Sequence, residues 1–204
     1  MPVNYEDFVF INCPFDDVYK DMLYAIVYTI YRCGFNPKSA LGEDNALHNR
    51  LSKIEKLIGE CKYGIHDISR IETNRNSLPR FNMPFELGIF FGAKKFGNKT
   101  QKSKVALVFE REKYLYQQYI SDLNGIDTRA HSGKPEKAIK IVRDWLCVSS
   151  AKKEIDGHIK IVKEYKDFCK SMPEIAEESN LDINDLTFTD YCLMVEETLR
   201  LRMV

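Results

Sequence analysis

One carboxylate, Glu86, stands in an almost wholly apolar stretch, Leu78-Pro-Arg-Phe-Asn-Met-Pro-Phe-Glu-Leu-Gly-Ile-Phe-Phe-Gly92, that reads as the start of a helix. Burying a charge in such surroundings is costly unless a partner binds it or the group does chemical work. The alternative is positional: in the first turn of a helix, the macrodipole and free N–H groups favour a negative charge. Both readings stand on the sequence alone. Gly88 and Gly92 leave a smooth strip on the same helix, and its expected use is close packing against a sheet.

A second group of candidates lies in Asn12-Cys-Pro-Phe-Asp-Asp-Val-Tyr19. Here Asn12, Pro14, Phe15 and Asp16 follow a strand and precede a helix N-terminus, a natural place for phosphate or ribose groups. Asp16 or Asp17 also suits an ordinary helix N-cap. The loop carries no G-x-G-x-x-G and no Walker lysine. Asp67 ends the run Tyr63-Gly-Ile-His-Asp67 and should project from a strand's carboxyl end, whereas His66 beside it reads as a core histidine. Arg70 and Arg80 flank the loop that follows; they either pair with Asp67, Glu86 or a ligand phosphate, or stay solvated. No Ser-His-Asp or Cys-His arrangement supports acyl transfer. Six scattered cysteines without a C-x-x-C pair fit neither a zinc knuckle nor a disulfide framework, so reduced thiols and no metal are expected.

Positioning these residues requires strands that alternate with helices. Phe8–Cys13 predicts a strand stopped by Pro14, and Asp17–Cys33 a helix with Gly34 at its left-handed end. A short strand over Phe35–Leu41 and a helix over Ala46–Cys61, with Leu47, Leu51, Ile54, Leu57 and Ile58 in one stripe, come next. After the Tyr63–Asp67 strand, Ile68–Asn82 has no periodicity and reads as a long loop, a candidate lid. Met83–Phe96 then predicts a helix buried on most sides, Lys104–Phe109 a strand, Ile126–Ala130 a weak strand and Pro135–Cys147 a helix. Such alternation implies right-handed crossovers and a parallel sheet covered on both faces, with ligands beyond the carboxyl strand ends.

Past residue 150 the character changes. Ala151–Ser171 is Lys-rich and helical in period, Met172–Asn184 is acidic and contains Pro173, and Thr189–Arg202 predicts an amphipathic helix. The reading is one α/β domain over residues 1–150 with a helical extension over 151–204. That extension is expected to pack back on the core and to contribute to a homodimer contact. In the 204 residues, 30 Lys and Arg balance 30 Asp and Glu, so no basic field holds nucleic acid and it is a poor candidate partner. No apolar stretch suits a signal or a membrane span, and a cytoplasmic location is expected.

Three runs taken together resemble a bacterial TIR-like family and the nucleoside 2-deoxyribosyltransferase-like proteins. They are Phe8-Val-Phe-Ile-Asn12 with its acidic loop, the Ile54 to Ser69 run ending Asp67-Ile-Ser69, and Asn82-x-x-Phe85-Glu86-Leu87-Gly88. The resemblance covers roughly Phe8 to Trp145 and implies a flavodoxin-like fold. It implies that Glu86 is catalytic and that Asp67 helps orient ribose hydroxyls. Asn12, Pro14, Phe15, Asp16, Ser69, Arg70, Arg80 and Asn82 complete the expected binding set. The implied reaction is cleavage or transfer at an N-glycosidic bond, with NAD or a nucleoside as substrate rather than cofactor, in bacterial antiviral defence. Met83, Pro84 and Phe85 depart from the Ser and Trp-Cys that many TIR enzymes carry before the glutamate. The alternative is a catalytically inactive nucleotide-sensing or protein-interaction module. The resemblance leans toward self-association, whereas on packing grounds the last helix is covered either by Ile155–Phe168 of the same chain, as a helical hairpin, or by another subunit.

Overall fold

The computed structural model describes residues 4–69, 81–151 and 154–202. Five strands form one parallel sheet: β1 (Phe8–Asn12), β2 (Asn36–Ser39), β3 (Tyr63–Asp67), β4 (Val105–Glu110) and β5 (Arg129–Ala130). Their spatial order is β2-β1-β3-β4-β5, the flavodoxin-like doubly wound arrangement. The helices are α1 (Lys20–Arg32), α2 (Arg50–Glu60), α3 (Asn82–Phe96), α4 (Lys99–Lys102), α5 (Pro135–Ser149), α6 (His158–Glu178) and α7 (Phe188–Arg202). Strand alternation separates two cores. Val9 and Ile11 of β1 pack with α1, α5, α6 and α7, while Phe10 packs with Ile54, Leu57 and Ile58 of α2 and Phe90 of α3.

The first helix shows how sequence becomes layer. Gly34 follows it at φ +79°, and the Phe35 N–H reaches back to the Ile30 carbonyl at 3.0 Å, closing the left-handed end that the sequence predicts. Met22 to Ile30 are buried all round, beyond what one apolar stripe requires. The cause is the C-terminal extension, which covers the outer side of α1. Tyr24 stacks on Tyr191 of α7 with ring centres 3.7 Å apart, and Tyr28 meets Tyr165 and Phe168 of α6. Arg32 pairs with Glu164 and Asp156, and Arg143 of α5 donates to the Ile155 and Asp156 carbonyls, both at 2.7 Å, so the entry to α6 is held on α1 and α5. The extension therefore shares the core of the sheet domain.

Several boundaries differ from the sequence reading. Residues Asp17–Tyr19 form a 3-10 turn before α1, because the Asp16 side chain caps the Tyr19 N–H at 3.2 Å. Asn49 caps α2 through the Ser52 N–H at 2.8 Å, so Leu47 lies outside that helix and is exposed. α6 runs through Pro173 to Glu178 in one piece, although proline removes the N–H owed to the Cys169 carbonyl. Thr187 and Asp190 exchange side-chain and backbone bonds at 3.1 and 3.0 Å, a capping box that starts α7. Most of Ile68–Asn82, the candidate lid, lies outside the described residues.

α3 differs most. It buries Met83, Glu86, Leu87 and Phe90 but exposes Phe85 and Phe96, so it is covered on one side rather than most. Its glycine strip faces outward: a Cβ on Gly88 or Gly92 would meet no atom within 4 Å, which corrects the expectation of packing against the sheet. Glycine there costs helix stability without a packing return in the single chain. Gly88→Ala is accordingly expected to stabilise the protein by about 0.5–1 kcal/mol, read as a raised denaturant midpoint at unchanged slope.

Candidate functional site

In this strand order the chain leaves β1 toward β2 on one side and continues from β3 on the other, so the crevice between the carboxyl ends of β1 and β3 is the topological switch point. Asn12 and His66 are register partners at that crevice. The Asn12 amide donates to His66 Nδ1 at 3.1 Å and to the Met83 carbonyl at 2.9 Å, tying the end of β1 to the first turn of α3. Since His66 Nδ1 accepts, its proton sits on Nε2, against the rings of Phe90 and Phe10. Burial, aided by the Lys104 charge, lowers the His66 pKa to about 3, so this histidine is a neutral core residue. Its ring also explains Gly64, where a Cβ would lie 2.7 Å from both His66 Nε2 and Phe90.

Asp67 is fully buried at the end of β3. One oxygen accepts the Ser69 N–H at 2.8 Å; the other accepts the Tyr19 hydroxyl and lies 2.9 Å from His131 Nε2. The Gly133 N–H donates to His131 Nδ1 at 2.9 Å, leaving the proton on Nε2, which also faces Ser69 Oγ at 2.9 Å. Burial alone would raise the Asp67 carboxyl, but the bonds from His131, Ser69 and Tyr19 hold it below the usual carboxylate range. The loops after β1, β3 and β5 are thereby joined through one carboxylate. Although Ser, His and Asp meet here, Asp67 and Ser69 both face the same imidazole nitrogen, so this is not a nucleophilic triad.

Glu86 occupies the second turn of α3, not the first, so the macrodipole account of its burial loses its footing. It is 4% exposed, and one oxygen lies 3.4 Å from Arg50 Nη2 at the start of α2. Burial raises its pKa and the Arg50 charge offsets this in part, because that guanidinium is distant and solvated. Cys13 links the carboxylates: burial pushes its thiol well up, and the charges of Asp67, Glu86 and Asp16 push it further. Asp67, Glu86 and Asp16 thus converge electrostatically on the end of β1.

The remaining expected residues divide. Ser69 and Asn12 are buried within the networks above, while Asn82 is exposed at the first position of α3. Pro14, Phe15 and Asp16 line a cavity of about 250 Å³, together with Lys20, Tyr24 and Leu41, that residues 184–186 and Phe188 of the extension close from the other side. Glu86 is not among its lining residues. Arg70 and Arg80 lie outside the described residues. Arg50, Tyr19 and His131 were missed by sequence reasoning. Each reaches the site from a different loop or helix start, and no local spacing marks them. Among the described residues, no group of three His, Cys, Asp or Glu side chains could hold a metal ion.

Fold and site together define a doubly wound, flavodoxin-like α/β protein with a buried, proton-prone carboxylate beside its switch point. No known family model matches the chain, and no curated protein matches its sequence.

Proposed function

We propose that the protein cleaves or transfers at the N-glycosidic bond of a nucleotide or nucleoside, with NAD as the first substrate to test and Glu86 as the catalytic carboxylate. One observation carries this reading: a nearly buried carboxylate beside the switch point has, among the described residues, no charged partner closer than a solvated arginine at 3.4 Å. In NAD the bond from ribose C1′ to the pyridinium nitrogen breaks with its electron pair going to nitrogen, so nicotinamide leaves neutral and needs no acid. The sugar is left as an oxocarbenium cation, which a nearby carboxylate stabilises or traps before water or a second acceptor attacks C1′. The water proton passes to the same carboxylate. The resemblance to TIR-like and deoxyribosyltransferase-like proteins supports this chemistry, and with it a place in bacterial antiviral defence.

The test is incubation of the full chain with NAD and a nucleoside panel, products being separated by chromatography. Release of free base that Glu86→Gln abolishes supports the reading; no turnover of any member overturns it. A second reading, a nucleotide-sensing module without turnover, is favoured by the cavity at Pro14, Phe15 and Asp16, which excludes Glu86. It expects binding that Asp16→Ala weakens and Glu86→Gln leaves intact. Among the described residues no helix is long and apolar enough to cross a membrane.

A further inference from the structure

The outward face of α3 and α4 is an open groove of about 670 Å³, with Gly88, Gly92, Phe91 and Phe96 as its floor and Lys94, Lys95 and Lys102 on its rim. Phe96 is 85% exposed. Among the described residues none of the three rim lysines forms an ion pair with a carboxylate; the Lys94 ammonium instead sits on the Lys102 and Lys104 carbonyls. An apolar floor this open, ringed by unneutralised cations, suits an apolar ridge that carries acids.

The chain itself presents such a ridge. On α7, Leu193 is 59% and Leu201 69% exposed, and Asp190, Glu196 and Glu197 stand around Leu193. Arg200, 3.5 Å from Glu197, is a cation on that face, and Arg202 follows Leu201 at the end of the helix. The ridge borders a second groove of about 560 Å³ between the end of α6 and α7. We propose that the α3–α4 groove of one copy receives the α7 ridge of a second copy, the glycine strip letting the two helices approach closely.

The layering fixes the symmetry of this contact. α3 packs with α2 on one side of the sheet, and α7 packs on α1 on the other, so the two surfaces point away from each other. One copy can give its ridge to a neighbour and its groove to another. The contact is therefore heterologous, and it builds a ring or an open chain of copies rather than a twofold dimer. It leaves the carboxyl edge of the sheet, with Glu86 and Asp67, outside the interface.

Light scattering of the full chain is expected to show mass above the monomer that grows across micromolar concentrations. That mass should fall when salt is raised from about 0.15 M to about 0.5 M, since the rim charges are screened. Gly92→Arg blocks the groove at a position where the single chain has open space, and Leu193→Arg puts a cation on the ridge. Each variant alone should be a monomer with unchanged circular dichroism and melting. Mixed, they should stop at a one-to-one dimer, because each supplies one intact face. Three results would each overturn the proposal: a monomeric wild-type chain, a variant that still assembles alone, or a mixture that stays monomeric. If Gly92→Arg does not fold, Lys95→Glu with Lys102→Glu tests the same face, and assembly undiminished by that charge reversal also overturns it.

Discussion

Replacing Glu86 by glutamine is expected to lower turnover of the glycosidic substrate by about 10³-fold or more while leaving KM nearly unchanged, because the charge matters in the transition state rather than in the ground state. The same change should make the protein more stable. Burial holds the Glu86 carboxyl above its ordinary pKa, so the folded chain binds that proton more tightly than the unfolded chain. The folded state is thus favoured while Glu86 is protonated and loses that advantage as pH rises through the raised value. At neutral pH the glutamine variant should be the more stable by about 0.5–1.5 kcal/mol, and the gap should close in acid, where the wild-type group is neutral. Activity needs the ionised carboxylate, so kcat should climb with pH through the same raised value. Chromatographic rates beside denaturant melts at several pH values check both halves. A variant that keeps its rate, or that is less stable at neutral pH, removes Glu86 from the role proposed for it.

Asp67→Asn should be the most damaging exchange of similar shape in the molecule. Its partners are the Tyr19 hydroxyl, the Ser69 N–H and the imidazole Nε2–H of His131, three donors converging on one acceptor-only group. An asparagine brings an NH2 group into that ring. Neither the Ser69 N–H nor His131, whose Nδ1 already accepts from Gly133, can turn round to receive it. Breaking a buried charged network of this kind costs about 3–5 kcal/mol, a large part of the total for a domain, and should lower the melting temperature by about 10 °C. The pH dependence has the opposite sign to that of Glu86. With the Asp67 pKa held down in the folded state, its contribution is complete above the unfolded value of about 3.9 and is lost as pH falls through the folded one, so wild type and variant should converge in strong acid. Melts from neutral to acid pH decide it, and a neutral-pH loss below about 1 kcal/mol would show the network to be dispensable.

These two carboxylates also mark how far the sequence could be read. The parallel α/β class was legible because β1 and β3 are short runs of β-branched and aromatic residues ended by proline or polar residues, and because α1 and α2 repeat their apolar residues at helical spacing. Asn12, Asp67 and Glu86 stood out as polar groups at the ends or in the middle of apolar runs, a pattern set by local composition. The neighbours that decide what each group does were not legible. Asp67 and His131 are 64 positions apart in the chain, and Arg50 and Glu86 are 36 apart. Nothing in their local sequence anticipates either pairing, because contact across such separations is fixed only when loops from different strands meet at one sheet edge.

Periodicity, in the same way, determined that α1 and α7 are helices but not what covers them. The sequence of α1 carries a stripe for the sheet; that its other side is buried as well follows from Tyr24 and Tyr28 meeting Tyr191, Tyr165 and Phe168, residues more than a hundred positions away. On α3 the error ran in the opposite direction. Its apolar residues and glycines promised burial on most sides, yet the strip turns outward, because the sheet beneath has room for only one face of a helix and that face is taken by Met83, Glu86, Leu87 and Phe90. Local chemistry thus set the elements and the candidate groups of this protein. Which of those groups are clamped, which are left with a loose partner and which surfaces remain open was decided by packing, since burial belongs to the arrangement of the elements and not to any residue alone.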